Sequence, residues 1–372
     1  MSNEICTNMP ILSVEKTIET LGTSYQTVIN SNLSPKVLPS VMLWGPPGVG
    51  KSQAIRQIAK DLEAATNKKV VVTDVRLLLF NPIDLRGIPT ANADKTLAIW
   101  LKPQIFQMDD SKDIVNILFL DEISAAPQSV QAAAYQITLD RVVGEHKPPD
   151  NRIVIAAGNR ITDKSVSFKM PKALANRLLH IEVQGSFDSW LNWAIRNGVH
   201  DKVVGFLSAR TDRLFGFNPQ SDDLAFATPR SWEMVSNILN NVSNDENAMF
   251  PMIAGLIGSG VAIEFRAWCR VYNDFPRVED IFAGNTNAVP NTTDALYALV
   301  SAMTSYAREH KDDKYLIGNS IRYAERLPAD FGQLLITNYE TLSPNFKKEL
   351  YQIPQFIAYA SKRGSVRNGT VR

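Results

Sequence analysis

Cysteine and histidine are scarce in this sequence, and each scarcity excludes a class of site. Of the 372 residues, two are cysteines and four are histidines. Cys6 and Cys269 lie far apart without C-x-x-C spacing, so neither a disulfide framework nor a zinc site is predicted, and a reducing compartment fits. The histidines form no H-x-x-x-H pair, and we expect all four to be ordinary surface or interface residues. They are His146, His180, His200 and His310.

The sequence also lacks a strong net charge and any long apolar run. Its formal net charge of +1 argues against a whole-molecule field for nucleic acid or membrane. Residues 1–20 include Glu4, Glu15 and Glu19, unlike a secretory signal or an Arg-rich transit peptide. No apolar run approaches the roughly 20 residues that cross a bilayer. These features predict a cytoplasmic protein with no membrane partner.

Short β-branched runs alternate with helical patterns between positions 41 and 183. The runs are VMLW, VVVTDV, NILFL, IVIAA and LLHIEV, which begin at positions 41, 70, 116, 153 and 178. Strands that alternate with helices predict crossover connections and therefore a parallel sheet. The helical spacing of apolar residues from Ser52 to Ala65 places a helix directly after the first strand.

Helical periodicity dominates after Gly185. Apolar residues from Phe187 to Ile195 follow the spacing of an amphipathic helix, and residues 248–272 have the pattern of another. A stretch rich in proline, glycine and asparagine at 273–291 indicates a linker. We predict three regions: an α/β core with an N-terminal helix (1–185), a helical second domain (186–274) and a helical C-terminal region (275–372). The basic tail of the C-terminal region, 361–372, is expected to be disordered, and the alternative is a contact with nucleic acid or a partner.

A glycine-rich loop follows the first predicted strand. Its residues are Gly45, Pro46, Pro47, Gly48, Val49, Gly50, Lys51 and Ser52. They fit the phosphate-binding pattern G-x-x-x-x-G-K-[ST] between a strand and a helix, where backbone N–H groups and the helix start can surround phosphates. Lys51 is expected to reach the β- and γ-phosphates of ATP, and Ser52 to bind Mg²⁺. The alternative is a Gly/Pro turn that only joins the strand to the helix.

Polar residues end two later strands at the sheet edge where α/β proteins bind ligands. Asp121 and Glu122 follow an apolar run, as in a Walker B motif, so Asp121 would hold the Mg²⁺ shell and Glu122 would orient or deprotonate the attacking water. Asn159 follows the next strand and would contact the water or the γ-phosphate as a sensor. Alternatively, the acids cap the next helix and Asn159 is a turn residue.

Seven segments resemble MoxR-type AAA+ ATPases, in order along the chain. They are DLRGIP (84–89), LDEI (120–123), QAAAY (131–135), LDRVVG (139–144), AAGNR (156–160), MP with ALANR (170–177) and TPRSW (228–232). The match runs from about position 38 to 240. The resemblance implies a P-loop AAA+ core with a parallel five-stranded sheet, a helical lid, and a homo-oligomeric ring, usually a hexamer, with ATP at each subunit boundary.

The same resemblance implies roles for two arginines. Arg177 would be the arginine finger that reaches the neighbouring subunit's γ-phosphate, and Arg230 would be the lid sensor, because a guanidinium matches phosphate oxygens. Each could instead form a surface ion pair. Arg160 stands where many relatives have proline, and it competes with Arg177 for the finger role. The resemblance also implies two hairpins, at 84–102 and 141–152, but neither contains the aromatic-hydrophobic-glycine pore loop of unfolding motors.

The leading functional hypothesis is a MoxR-like ATPase that uses ATP and Mg²⁺ to remodel or activate a client protein. The resemblance suggests a von Willebrand A domain protein as that client. One alternative is a nucleic-acid translocase, against which stands the lack of a basic stripe with interleaved aromatic residues. Another is a slow nucleotide-state switch that acts as a binding module.

Overall fold

The computed structural model describes residues 9–142, 146–160, 170, 175–218 and 220–368. The described residues up to Ser186, together with 220–221, form one compact unit, and those from Phe187 onward form a second. Over these ranges, no helix combines the length and the apolar character needed to cross a membrane.

A parallel sheet forms the centre of the first unit. The strands are β1 (Ile11–Ser13), β2 (Val41–Trp44), β3 (Lys69–Arg76), β4 (Ile88–Ala91), β5 (Ala98–Leu101), β6 (Ile114–Asp121), β7 (Arg152–Gly158) and β8 (Leu179–Gln184). The six-stranded parallel sheet has the order β1-β8-β2-β7-β6-β3, and β4 and β5 form a separate antiparallel pair. All five strands predicted from the alternating pattern are present, and β1 adds a sixth at the edge.

In its described residues this unit has four α-helices: α1 (Val14–Asn30), α2 (Lys51–Thr66), α3 (Pro82–Arg86) and α4 (Gln128–Leu139). The helix α1 begins where the Ser13 hydroxyl accepts a hydrogen bond from the Lys16 backbone N–H at 3.1 Å, which satisfies one of the unpaired donors of the first turn. The helix α2 follows β2 after the glycine-rich loop, as the motif requires.

Alternate residues of β2 face two separate cores. Val41 and Leu43 contact one buried cluster, which includes Ile55 of α2, whereas Met42 contacts the other, which includes Ala134 of α4. This burial on both sides explains why β2 is a continuous apolar run, since a parallel sheet covered on both faces has no solvated face. The glycine-rich loop is therefore attached to a strand that is held from both sides.

Leu43→Ala is expected to lower the free energy of unfolding of the first unit by about 2–5 kcal/mol, because the side chain is fully buried and its loss leaves a cavity. The matched control is Leu79→Ala, whose side chain is 74% exposed, and it should change stability by less than about 0.5 kcal/mol. Denaturant unfolding of the two variants compares them. Equal losses would contradict the assigned burial.

Eleven helices make up the second unit in its described part. They are α5 (Phe187–Arg196), α6 (Asp201–Ala209), α7 (Pro229–Asn241), α8 (Phe250–Ile257), α9 (Ser259–Trp268), α10 (Val278–Ala283), α11 (Thr293–Glu309), α12 (Lys314–Ala324), α13 (Ala329–Leu342), α14 (Pro344–Leu350) and α15 (Pro354–Asn368). One hydrophobic core joins α5 to α9 around Trp232, and a second joins α10 to α15 around Tyr339. The helix α11 contributes to both, through Ala298 and Leu299.

Two sequence predictions fail in this unit. His200 is buried, and its side chain caps α6 by accepting the Lys202 backbone N–H at 3.1 Å, so it is not a surface residue. The tail is helical through Asn368, because α15 continues past position 361, where disorder was expected. Residues 369–372 of that tail lie outside the described residues.

Candidate nucleotide-binding site

The glycine-rich loop connects β2 to α2 at the carboxyl edge of the sheet. Its first residue, Gly45, lies so close to β8 that an added Cβ would be 2.6 Å from the Val183 carbonyl oxygen. Only glycine fits there without a shift of the backbone. The loop ends at the first turn of α2, whose N–H groups have no acceptor within the helix and suit an anion.

The Lys51 ammonium connects this loop to Asn159, the residue directly after β7. Its Nζ donates to the carbonyl oxygens of Gly45 and Pro46 at 2.7 and 3.0 Å, and to Asn159 Oδ1 at 3.1 Å. The lysine is buried, although a lysine is almost never buried without partners. These acceptors hold a concentrated positive charge at the mouth of the loop, where a phosphate group would lie.

Ser52, the residue after Lys51, and Asp121 together offer oxygen ligands for a metal ion. Ser52 Oγ donates to Asp121 Oδ2 at 2.8 Å, and Asp121 Oδ1 accepts the Glu122 backbone N–H at 2.9 Å. A hydroxyl and a carboxylate are the hard ligands that Mg²⁺ prefers, and Mg²⁺ takes few ligands from protein because it keeps waters and binds substrate phosphates. The donor set therefore fits Mg²⁺ bound together with ATP.

Glu122 has an unusual backbone conformation. Its φ is +59°, in the left-handed region that a residue other than glycine seldom occupies. The next helix, α4, begins only at Gln128 and has Pro127 at its N-cap, so neither Asp121 nor Glu122 caps it. The strand β6 ends at Asp121, the candidate Mg²⁺ ligand, and the backbone turns at Glu122 directly after it.

The Asn159 backbone is fixed at the end of β7. Its N–H donates to Ser124 Oγ at 2.9 Å, while its side-chain oxygen accepts from Lys51. The residue therefore contacts both the glycine-rich loop and the segment that follows Glu122. The role of Asn159 as a sensor stays a prediction.

Sequence reasoning missed one acid at the same edge, Asp74 on β3. Asp74 Oδ2 is 3.8 Å from Arg56 Nη2 of α2. Burial raises the pKa of Asp74, and the negative charge of Asp121 raises it further, while Arg76 and Arg56 oppose the shift. The signal in the sequence was the aspartate inside the β-branched run VVVTDV, because aspartate is uncommon in strands.

The three candidate arginines differ in their surroundings. Arg177 is exposed in the turn before β8, and Arg230 is exposed in the first turn of α7, in the second unit. Arg160 instead contacts its own chain, because its Nη1 lies 2.5 Å from Glu182 Oε1 of β8. The structure thus groups Lys51, Asn159 and the Ser52 pair in the first unit and leaves Arg177 at its surface.

One of the two expected hairpins is described. Strands β4 and β5 pair with Ile88 opposite Leu101, within the expected 84–102 segment, and both of these side chains are exposed. In the other, 141–152, residues 143–145 lie outside the described residues, as do residues 171–174 of the segment that leads to Arg177.

A parallel sheet with a glycine-rich loop between β2 and α2, and with acids at the end of β6, defines a P-loop nucleotide-binding domain. Residues 41–184 match the family described as "ATPase family associated with various cellular activities (AAA)". The chain therefore has an AAA+ P-loop α/β core with a parallel sheet, and a helical C-terminal region follows it.

No curated protein sequence matches the chain significantly. Among solved structures, similarity is found to Caenorhabditis elegans PCH-2, with 14% identity over 68% of this chain and 66% of that one, just under two thirds, at a TM-score of 0.35. A Thermotoga maritima RuvB P216G mutant matches with 14% identity, over 78% of this chain and 83% of that one, at a TM-score of 0.36. A putative ATPase from Cytophaga hutchinsonii matches with 14% identity, over 89% of this chain and 93% of that one, at a TM-score of 0.32. At these TM-scores the similarities support no inference about function.

Proposed function

We propose that this protein is a MoxR-like AAA+ ATPase that hydrolyses ATP with Mg²⁺ at the subunit boundaries of a ring and uses the cycle to remodel or activate a client protein. The observation that carries the proposal is that the glycine-rich loop contacts both later segments. Ser52 Oγ donates to Asp121 Oδ2 at 2.8 Å, and Lys51 Nζ donates to Asn159 Oδ1 at 3.1 Å. Asp121 and Asn159 are far in sequence from Lys51 and Ser52, and all four lie at the edge of the sheet where α/β proteins bind ligands.

Each residue of this site has a separate task in the proposed reaction. The loop N–H groups and Lys51 hold the β- and γ-phosphates, and Ser52 and Asp121 hold Mg²⁺, which neutralises phosphate charge when bound. Glu122 orients the attacking water and accepts its proton, and Asn159 fixes the water or the γ-phosphate from the other side. Arg177 of a neighbouring subunit stabilises the charge that develops on the transferred phosphoryl group.

The ring is the part of the proposal that concerns assembly. AAA+ ATPases typically form rings, and the exposed positions of Arg177 and Arg230 leave both guanidinium groups accessible for a nucleotide. A head-to-tail contact that closes by rotation would give a homo-oligomer, which we propose is a hexamer. In this proposal, residues 186–274 are the lid that carries Arg230, residues 275–372 are the C-terminal region, the location is cytoplasmic, and the client is a protein such as one with a von Willebrand A domain.

Lys51→Ala is expected to weaken ATP binding by about a hundredfold or more, because it removes charge-assisted hydrogen bonds to two phosphates. The matched control is Lys60→Ala, an exposed lysine on the same helix, which should bind like the wild type. Calorimetric titration with a non-hydrolysable ATP analogue measures both. Unchanged affinity in Lys51→Ala would remove the phosphate-loop assignment, and with it the proposed function.

Multiple-turnover kinetics separates an ATPase motor from the slow nucleotide-state switch. A motor releases product and cycles repeatedly, whereas a switch binds ATP tightly and completes about one turnover per site on the experimental timescale. Measuring the same turnover with added single-stranded DNA or RNA tests the translocase alternative, since a translocase would be stimulated.

A further inference from the structure

His180 connects the phosphate-loop strand to the turn that carries Arg177. It lies on β8, which pairs with β2 so that His180 is opposite Met42. The indole Nε1 of Trp44, the residue directly before Gly45, donates to His180 Nδ1 at 2.9 Å. The two rings are nearly parallel, at an interplanar angle of 17° with their centroids 6.1 Å apart. Both side chains are half-buried.

The second ring nitrogen of His180 contacts the Arg177 turn. His180 Nε2 lies 2.7 Å from the carbonyl oxygen of Ala175, two residues before Arg177. A carbonyl oxygen can only accept, so Nε2 carries the proton, and Nδ1 is then the acceptor that the Trp44 N–H requires. Both contacts are satisfied by one neutral tautomer. An imidazole is suited to this place because it accepts on one side and donates on the other.

We propose that His180 is a positioning residue that holds the Arg177 turn in a fixed relation to the phosphate loop of the same subunit. The proposal rests on the proposed function, in which Arg177 acts on the neighbour's ATP. Two hydrogen bonds then connect the site where a subunit binds its own nucleotide to the arginine that it supplies to the next site. A displacement of the loop by ATP would reach Arg177 through Trp44, His180 and Ala175, so that occupancy of one site affects hydrolysis at the next.

Three substitutions of His180 separate its two contacts. His180→Asn places an oxygen near the Nδ1 position and keeps the acceptor for Trp44, and His180→Gln places an N–H near the Nε2 position and keeps the donor for Ala175. His180→Leu removes both. Trp44→Phe keeps an aromatic ring but removes the donor, so it tests the first hydrogen bond without altering His180. The control is His310→Asn, a histidine of the second unit that stacks on Tyr306.

All three His180 variants and Trp44→Phe are expected to lower kcat by about tenfold to a hundredfold, because misplacement of a catalytic group by about 1 Å has effects of this size. The dissociation constant for ATP should stay within about twofold, since each subunit's own loop keeps Lys51 and Ser52. The Hill coefficient for ATP should fall toward 1. Addition of Lys51→Ala subunits, which supply a correctly held Arg177, should restore turnover to the His180→Leu subunits.

A purely structural role of His180 predicts other results. If the variants lose ATP affinity together with thermal stability, or if Lys51→Ala subunits restore nothing, the proposal is wrong. It is also wrong if kcat stays at the wild-type value. Failure of the proposed function looks different, because then Arg177→Ala itself would hydrolyse ATP normally or the wild type would not hydrolyse it. If His180→Leu does not fold, Trp44→Phe and the two amide variants give the same test.

Discussion

Glu122→Gln is expected to bind ATP and Mg²⁺ normally while hydrolysing ATP about a hundredfold or more slowly than the wild type, as for the loss of a general base. The amide keeps the size of the carboxylate but cannot accept the proton of the attacking water. Lys51, Ser52 and Asp121 remain, so the nucleotide site itself is preserved. The trapped ATP state should also stabilise the assembled ring.

Single-turnover and steady-state measurements check this expectation together with an ATP titration. The matched control is Glu15→Gln, which makes the same chemical change at an exposed position in the first turn of α1 and should leave turnover unchanged. If Glu122→Gln retains near-normal turnover, Glu122 has no part in moving the proton, and its position after Asp121 is structural only. The variant also offers a means to capture the client, because it holds the ATP state longest.

Arg177→Ala should lower hydrolysis by roughly a thousandfold or more at every protein concentration, while it binds ATP normally. The reason is that an arginine finger acts on the neighbour's γ-phosphate, whereas the subunit's own loop is intact. A surface ion pair contributes about 1 kcal/mol or less to stability and nothing to turnover. The two explanations for an exposed Arg177 therefore differ in the quantity that they change.

Mixing experiments test whether Arg177 acts across a boundary. Arg177→Ala and Lys51→Ala are each inactive alone, but a mixed ring contains boundaries with an intact Lys51 site on one subunit and an intact Arg177 on the other. Partial recovery of turnover is expected. If both variants assemble and the mixture is no more active than its components, Arg177 is not the finger. Arg160→Ala is the comparison, and it should act chiefly on stability because Arg160 contacts Glu182 in the same chain.

Local patterns predicted the strands and the glycine-rich loop well, since each depends on residues close together in sequence. The buried runs of β2, β6 and β7 have no solvated face, so their composition alone identifies them. The strand β1 could not be predicted in this way. It has only three residues, of which Ile11 is exposed, and it exists because it pairs with β8, far away in sequence.

Backbone and side-chain contacts over long separations account for the other differences. The helix predicted over 248–272 is interrupted, because Gly258 has φ +85° and an added Cβ would lie 3.0 Å from the Ala225 carbonyl oxygen. Nothing in the periodicity indicates that contact. The hydrogen bond at His180 left no sign in the sequence for the same reason, since its donor is Trp44, which is 136 positions away. The tertiary fold, and not the local pattern, determines both.

The left-handed backbone at Glu122 places two opposing demands on one position. A residue with a Cβ in this region costs about 1 kcal/mol relative to glycine, so folding stability alone would favour glycine at position 122. The proposed chemistry needs a carboxylate there. Engineering this protein for heat resistance by relieving backbone strain would thus favour Glu122→Gly. By the proposed chemistry, that variant would be more stable but would no longer hydrolyse ATP.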